Sequence, residues 1–256
     1  MRGAALVACV ALTACGGGFG GGGSTNASQS GLSNLFGARP ASEVTVTQNR
    51  VRIAGPEGYC VDPTGTQDSP ATGFVLLGNC AAIPRSLRSQ QPANPAILTA
   101  SVGDNPGDPV ATRLAEMDSY LRSVQGRSAL SRSGDAGTVV VLDSFAQNDI
   151  LYIRARDTSV ADDPDVSSDY WRAIFDTSNA LVTLSVIGTR SNPLPPQTGL
   201  QTLEGFTQVV RELNGTASSS SPVARFEPGP ENEPPASQAP IWGGLGEVGF
   251  LRRLLG

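Results

Sequence analysis

The sequence predicts an α+β domain over residues 43–215, in which helices cover an antiparallel β-sheet as an α-β-α sandwich. Three observations predict this fold. Apolar runs of strand length occur in adjacent pairs, and two sets of apolar residues recur at helical spacing. The flanking segments 15–42 and 216–240 are rich in Gly, Ser and Pro, so we expect both to be disordered linkers.

The first part of the domain has the pattern of β-strands. Apolar and polar residues alternate over 44–53 around Gln48-Asn49, which indicates a strand or a tight hairpin. The runs 74–80 and 97–102 also have the length of strands. The segment 64–72, which precedes the first of these two runs, is predicted to be a polar loop.

A helix is predicted to begin at Asp108-Pro109, because Asp caps helix N-termini and Pro is favoured in the first turn. Apolar residues then follow at steps of four and three: Val110, Leu114, Met117, Leu121 and Val124. This spacing predicts one helix of four turns that ends before Gly126.

Two predicted hairpins follow, 138–156 and 170–187, each with a short polar turn. Links this short place consecutive strands side by side and antiparallel. After the Pro-rich segment 193–196, a second helix ends at Asn214-Gly215. Its apolar stripe consists of Leu200, Leu203, Phe206, Val209, Val210 and Leu213.

The two hairpins, the Pro-rich turn and the closing helix resemble the late part of PsbP-type domains. The resemblance rests on the order of the elements and on no sequence motif. It implies an α-β-α sandwich. That family contains binding and assembly factors without a shared active site, so the resemblance also implies a role in protein contacts.

The N-terminus has the layout of a secretory signal: Arg2, an apolar run over 4–12 and then a cysteine. The run is too short to span a bilayer as a helix. Leu12-Thr13-Ala14-Cys15 resembles the lipobox of bacterial lipoproteins. The resemblance implies removal of residues 1–14 and acylation of Cys15. Gly16 in place of Asp implies the outer membrane, facing the periplasm, and the Gly-rich sequence that follows argues against a buried N-terminal segment.

Composition excludes several function classes. The chain has a net charge of −5 and contains neither Lys nor His. It therefore lacks a Ser-His-Asp triad, a histidine metal ligand, a Walker A loop and a Schiff-base lysine. The arginines are scattered and form no basic patch, so no nucleic-acid partner is expected.

Cys60 and Cys80 remain after Cys9 leaves with the signal and Cys15 is acylated. In an oxidising compartment such a pair is expected to form a disulfide. Closing a loop of about 20 residues stabilises the fold by roughly 3 kcal/mol. A redox-active pair is the alternative, but such cysteines are usually closer in sequence.

Four acids in the segment 157–169 are weak candidates for a Ca²⁺ site because clustered oxygen ligands can hold this ion. They are Asp162, Asp163, Asp165 and Asp169. They lack the glycine and glutamate of EF-hand spacing, which favours a solvated loop. No cofactor is expected.

The C-terminal tail, 241–256, is unusually apolar for a chain end. Its candidate contact residues are Trp242, Leu245, Val248, Phe250, Leu251, Leu254 and Leu255. The tail either docks on its own domain or contacts an external target, a membrane interface or a partner groove, and the external target is favoured.

Two functions fit these observations. The first is a non-catalytic outer-membrane lipoprotein that binds or scaffolds proteins of the cell envelope. The alternative is an envelope hydrolase that uses carboxylates alone, with Asp143, Asp162, Asp163 or Asp176 as candidates. The missing His and Lys favour the first.

Overall fold

The structure is a computed structural model and describes residues 41–48, 50–83, 90–105, 107–160, 165–177, 180–216 and 222–226. These residues form ten strands and three α-helices. The helices are α1 (Leu114–Arg122), α2 (Val124–Leu130) and α3 (Pro196–Leu213). The strands are β1 (Glu43–Val46), β2 (Val51–Ala54), β3 (Tyr59–Asp68), β4 (Thr72–Asn79), β5 (Ile97–Asp104), β6 (Val139–Gln147), β7 (Ile150–Asp157), β8 (Asp169–Thr177), β9 (Ala180–Ile187) and β10 (Ala224–Arg225).

Eight strands form one antiparallel sheet in the order β10-β6-β7-β8-β9-β5-β4-β3. Consecutive strands are neighbours in β6 to β9 and again in β3 to β5. The two groups are joined by the pairing of β5 with β9, from Ile97 opposite Ile187 to Asp104 opposite Ala180. β1 and β2 pair only with each other within the described chain.

The two faces of the sheet are covered by different elements. On one face, which we call the α3 face, α3 packs on β8, β9 and β2 around Trp171, Leu203 and Phe206. On the opposite α1 face, α1 and α2 pack on β6 and β7, and their core includes Met117 and Leu121. Both clusters bury apolar side chains, which is the main source of stability in such layers.

The predicted helix-covered α-β-α sandwich, and with it the PsbP-like layout, is wrong. The described chain has more residues in strands than in helices, and its three helices cover only part of the large eight-stranded sheet. The β1–β2 hairpin, rather than a helix, contacts β3 and β4. The pairing of β5 with β9 leaves no local signal in the sequence, because the two strands are far apart along the chain.

The single helix predicted from Asp108 to Gly126 is also wrong. Val110–Thr112 forms a 3-10 turn, and Ser123 separates α1 from α2 with an extended backbone at ψ 169°. The Ser123 hydroxyl accepts a hydrogen bond from the amide of Gly126 and caps α2. Gly126 therefore lies inside α2 and does not end a helix. Glycine is needed at this position because a Cβ atom would lie 2.0 Å from the carbonyl oxygen of Tyr120.

Two segments predicted to lack regular structure contribute strands. β3 continues to Asp68, into the predicted polar loop, and its register is interrupted between Asp62 and Gln67. Pro63 is tolerated there because β3 is an edge strand. β10 lies within the predicted linker 216–240 and pairs with Phe145 and Ala146 of β6.

The local hairpins and α3 are confirmed. β1–β2, β6–β7 and β8–β9 pair antiparallel as predicted. α3 begins at Pro196 and ends at Leu213. The structure contains the Cys60–Cys80 disulfide, with a Cα–Cα distance of 4.8 Å, next to the pairing of β3 with β4. Among the described helices none is long and apolar enough to cross a membrane.

We predict that Gly126→Ala destabilises the protein although alanine is the better helix former by about 1 kcal/mol. The added methyl group meets backbone atoms of Tyr120 and Leu121, which cannot rotate away. Overpacking of this kind costs about 1–3 kcal/mol, so thermal unfolding should show a melting temperature lower by several degrees.

The matched control is Gly78→Ala, because a Cβ atom at Gly78 meets nothing within 4 Å. This variant should keep the melting temperature of the wild type. A Gly126→Ala protein as stable as the control would contradict the close approach of α1 and α2.

Candidate functional site

Most of the sequence-predicted site residues lie outside the described ranges. These residues are Cys15, Asp162, Asp163 and the tail residues Trp242, Leu245, Val248, Phe250, Leu251, Leu254 and Leu255. Asp165 is described and exposed. The Ca²⁺ hypothesis is therefore compared with the structure through Asp165 and Asp169, while the whole tail lies outside the described residues.

Asp169 is held by two arginines of β7. Its carboxylate accepts hydrogen bonds from Arg154 at 2.9 Å and from Arg156 at 2.6 Å. Burial raises the pKa of Asp169, but the bonds from the two guanidinium groups outweigh this and hold the pKa below its ordinary value. Among the described residues, no group of three His, Cys, Asp or Glu side chains is placed to hold a metal ion.

Asp143 and Asp176, two candidate carboxylates for hydrolysis, lie on opposite faces of the sheet. Asp143 is opposite Arg154 in the register, and Arg154 is opposite Trp171, whose side chain belongs to the α3 face. Asp176 is opposite Leu181, which belongs to the α1 face. Two carboxylates separated by the sheet cannot act together on one bond.

Both of these acids also have structural partners. Asp143 forms an exposed ion pair with Arg225 at 3.2 Å. Asp176 accepts hydrogen bonds from the side-chain amide of Asn105 and from the backbone amide of Val110, and so it fixes the 3-10 turn that precedes α1.

Asp157 is fully buried where β7 ends. Its carboxylate accepts hydrogen bonds from the backbone amides of Arg132 at 2.8 Å and of Ser159 at 2.9 Å. Burial raises the pKa of Asp157, but the hydrogen bonds from the two backbone amides favour the ionised carboxylate, and the pKa is lowered overall. This carboxylate therefore ties the segment after α2 to the end of β7.

A buried polar network attaches α1 to the sheet. The Ser144 hydroxyl of β6 donates to the carboxylate of Asp118, and Arg122 donates to both side chains. Ser144 is 1 % exposed, so its hydroxyl is not accessible to a substrate. The network satisfies a buried charge, and its role is structural.

The most open part of the described chain lies around β6. Four large apolar side chains are exposed in the described residues, and three of them are in β6 or directly before β10: Val140 at 55 %, Leu142 at 38 % and Val223 at 51 %. The fourth, Val124, lies on α2. We call Val140 and Leu142, with the ion pair of Arg225 and Asp143, the β6 surface. Val223 lies outside it, because the register of β10 places this residue towards Gln147, at the other end of β6.

Charged side chains extend this surface. Arg225 lies over the ring of Phe145, with 5.5 Å from its guanidinium carbon to the ring centroid. Arg156 is half exposed and lies opposite Val140 in the register. Apolar side chains bordered by guanidinium groups are typical of protein-contact surfaces.

Within the described chain, part of the outer edge of β6 is unpaired. β10 pairs with Phe145 and Ala146 only, so no strand of the described chain pairs with the outer edge over 139–143. An irregularity in the register between Val141 and Asp143 bends this part of the strand. Such bends disfavour pairing between the sheet edges of different molecules. They leave a short edge with which one extended peptide segment can form backbone hydrogen bonds.

The sequence predicted β6 as a strand but not its position next to the sheet edge. The run Val139-Val140-Val141-Leu142 is apolar at every position, which is the pattern of a strand buried on both faces. The exposure of Val140 and Leu142 becomes visible only when the order of the strands is known.

We predict that Asp157→Asn lowers the free energy of unfolding at pH 7 by about 1–3 kcal/mol, because a buried charged acceptor of several hydrogen bonds is lost. The lowered pKa of Asp157 makes a stabilising contribution that is complete above the ordinary value of 3.8 and is lost as the pH falls through the folded-state pKa. The wild type should therefore lose more stability than the variant when the pH falls below about 4.

Urea unfolding at pH 7 and at low pH measures both effects. Asp143→Asn is the matched control, since its exposed pair with Arg225 contributes at most about 1 kcal/mol. Equal losses for the two variants at pH 7 would contradict the structural role of Asp157.

Comparison with known proteins gives no relative: no protein-family model matches the chain, and no curated protein sequence matches it significantly.

Proposed function

We propose that this protein is a non-catalytic lipoprotein of the outer membrane that binds or scaffolds proteins of the cell envelope. The observation that carries the proposal is the β6 surface, where exposed apolar side chains lie beside an open strand edge. The domain faces the periplasm and is held to the membrane through Cys15.

The anchor rests on the lipobox-like segment 12–15. A lipid-modified cysteine with several acyl chains holds a protein firmly, since each buried methylene contributes about 0.8 kcal/mol. The segment 16–42 has the Gly-rich composition of a linker between the anchor and the domain.

The partner binds at the β6 surface as an extended segment that adds to the edge of β6. Backbone hydrogen bonds along 139–143 supply part of the affinity, and the exposed side chains of Val140 and Leu142 contact apolar side chains of the partner. The apolar tail 241–256 supplies a second contact with the envelope.

The alternative of a carboxylate hydrolase lacks a supporting observation. Asp143 and Asp176 lie on opposite faces, and each of the buried acids Asp118 and Asp157 is committed to a structural network. Catalytic acid pairs need converging carboxylates that remain available to substrate.

We predict that Cys15→Ser moves the protein from the membrane fraction to the soluble periplasmic fraction, because the acylated side chain is lost. Cell fractionation with an antibody against the domain measures the distribution. Cys9→Ser is the matched control, since this residue lies in the part of the signal that is removed. Membrane retention of the Cys15→Ser protein would contradict the anchor.

We predict that Val140→Arg reduces the recovery of the envelope partner by about tenfold or more in an affinity pull-down from crosslinked cells, because a charged side chain replaces an apolar contact. The control is Val124→Arg, an equally exposed valine on α2. Both variants should keep wild-type stability, since exposed substitutions change it by at most about 0.5 kcal/mol.

Truncation after Pro240 separates the contributions of the two contacts. If the truncated protein fails to recover the partner in the pull-down, while the Val140→Arg protein recovers it as well as the wild type, binding is assigned to the tail. That result would contradict the β6 surface as the main contact.

A further inference from the structure

A cleft lies on the α3 face of the sheet, where α3 begins. Its lining comes from β7, β8 and β9 and from the segment that leads into α3, and it contains about 270 Å³ of empty space that opens to solvent. Sites for drug-sized ligands measure about 300–1,000 Å³, so this cleft has room for one side chain or a molecule of similar size. We call it the α3 cleft, and the lining residues that matter here are Arg154, Asp169, Trp171, Leu194, Pro196 and Gly199.

Apolar groups form much of the lining of the α3 cleft. The indole ring of Trp171 is fixed because its Nε1 donates to the carbonyl oxygen of Pro196 at 2.9 Å. Gly199 lets the first turn of α3 approach this ring, since a Cβ atom there would lie 2.9 Å from Cδ1 of Trp171. Leu194 and Val186 add aliphatic side chains to the lining. The fold itself therefore builds the cleft and gives it an apolar surface.

Arg154 lines the same cleft and has hydrogen-bond donors that the described contacts do not use. Within the described residues only its Nη2 forms a hydrogen bond, to Asp169 at 2.9 Å. Its side chain is 25 % exposed, and neither of its other two nitrogens is buried. Arginine carries five N–H donors, so Arg154 can donate to a ligand and keep its bond to Asp169.

The ion pairs beside the cleft contain more arginines than carboxylates. Asp169 accepts hydrogen bonds from both Arg154 and Arg156. Asp143, which is opposite Arg154 in the register, forms its ion pair with Arg225. Three arginines therefore share two aspartates in this part of the described chain. The excess of positive charge favours an anionic group over a cationic one.

We propose that the α3 cleft binds an apolar side chain that lies next to a free carboxylate. The side chain enters the cleft beside Trp171 and Leu194, and the carboxylate accepts hydrogen bonds from Arg154, because guanidinium and carboxylate groups pair strongly. This combination occurs in a free N-acyl amino acid and at the C-terminus of a peptide. The site goes beyond the proposed function, since it is built from β7, β8, β9 and α3 and needs no contact at the β6 surface.

Titration of the full-length protein with N-acetyl-leucine tests the proposal. Isothermal titration calorimetry gives the dissociation constant, and fluorescence reports the cleft itself, because Trp242→Phe leaves Trp171 as the only tryptophan. N-acetyl-leucinamide lacks the charge, N-acetylglycine lacks the apolar side chain, and inorganic phosphate is an anion without an apolar part. We expect each of these three to bind at least about tenfold more weakly than N-acetyl-leucine.

An acetylated tripeptide with leucine at its C-terminus distinguishes the two sources of the ligand. Tighter binding of the tripeptide than of N-acetyl-leucine would support the site and assign it to the C-terminus of a peptide. Equal or weaker binding of the tripeptide, with N-acetyl-leucine bound as expected, would support the site and assign it to a small N-acyl amino acid.

Two variants assign the carboxylate contact to Arg154. Arg154→Gln removes the charge and should weaken N-acetyl-leucine binding by about tenfold or more. Arg154→Lys keeps the charge but loses the planar donor group, and it should weaken binding by about fivefold. Arg156→Gln is the matched control, because Arg156 also pairs with Asp169 but does not line the cleft, and it should bind within about twofold of the wild type. If Arg154→Gln does not fold, Arg154→Lys decides.

The proposal is overturned if N-acetyl-leucine gives neither a saturable heat nor a change in Trp171 fluorescence, or if any of the three comparison compounds binds as tightly. Unchanged binding by a folded Arg154→Gln or Arg154→Lys protein would also overturn it, as would equal losses for Arg156→Gln and Arg154→Gln. Because these measurements use no envelope partner, their failure leaves the proposed function of the β6 surface unaffected.

Discussion

The pairing of β5 with β9 is the constraint on which the rest of the structure depends. It joins two antiparallel groups of strands into one sheet of eight. Without it, β3 to β5 would form a small sheet with limited apolar burial, and such sheets are marginally stable. The pairing places Thr99 next to Ser185, which is opposite Arg172 on the other neighbouring strand. It also makes β9 a central strand that is buried along its whole length. The long sequence separation of the two strands makes this contact expensive in chain entropy, and the continuous cores on both faces compensate for that cost.

Carboxylates in this protein serve mainly to hold elements together. Asp118 attaches α1 to β6, Asp157 fixes the end of β7, and Asp169 is bound by two arginines. Each of these groups is satisfied by donors within the fold, so none of them remains available as a general acid or base. The binding role that we propose rests instead on the exposed apolar side chains of β6 and on the part of its outer edge that no described strand pairs with.

Local patterns predicted the hairpins and α3 but not the arrangement of the sheet. The turn at Gln147-Asn148-Asp149 predicted a hairpin, because short links leave few geometries. The alternation around Gln48 predicted a strand or a hairpin, and the structure has the hairpin. The apolar stripe from Val110 to Val124 did not reveal the break at Ser123. Val124, the one residue of the stripe beyond the break, is exposed and does not belong to the core that contains Met117 and Leu121. The order of the strands, and therefore the exposure of Val140 and the burial of Arg172, depends on non-local pairing that no short pattern encodes. Arg172 nonetheless had a signal, a lone charge within an apolar strand.

We propose that an envelope partner adds an extended segment to the outer edge of β6. Amide hydrogen exchange of the protein with and without its captured partner tests this directly, because strand addition protects backbone amides that were open to solvent. We predict that exchange slows in peptides covering 138–144, while β3, the edge strand at the other end of the sheet, is unchanged. Protection at β3, or no change over 138–144 while the partner is bound, would contradict it.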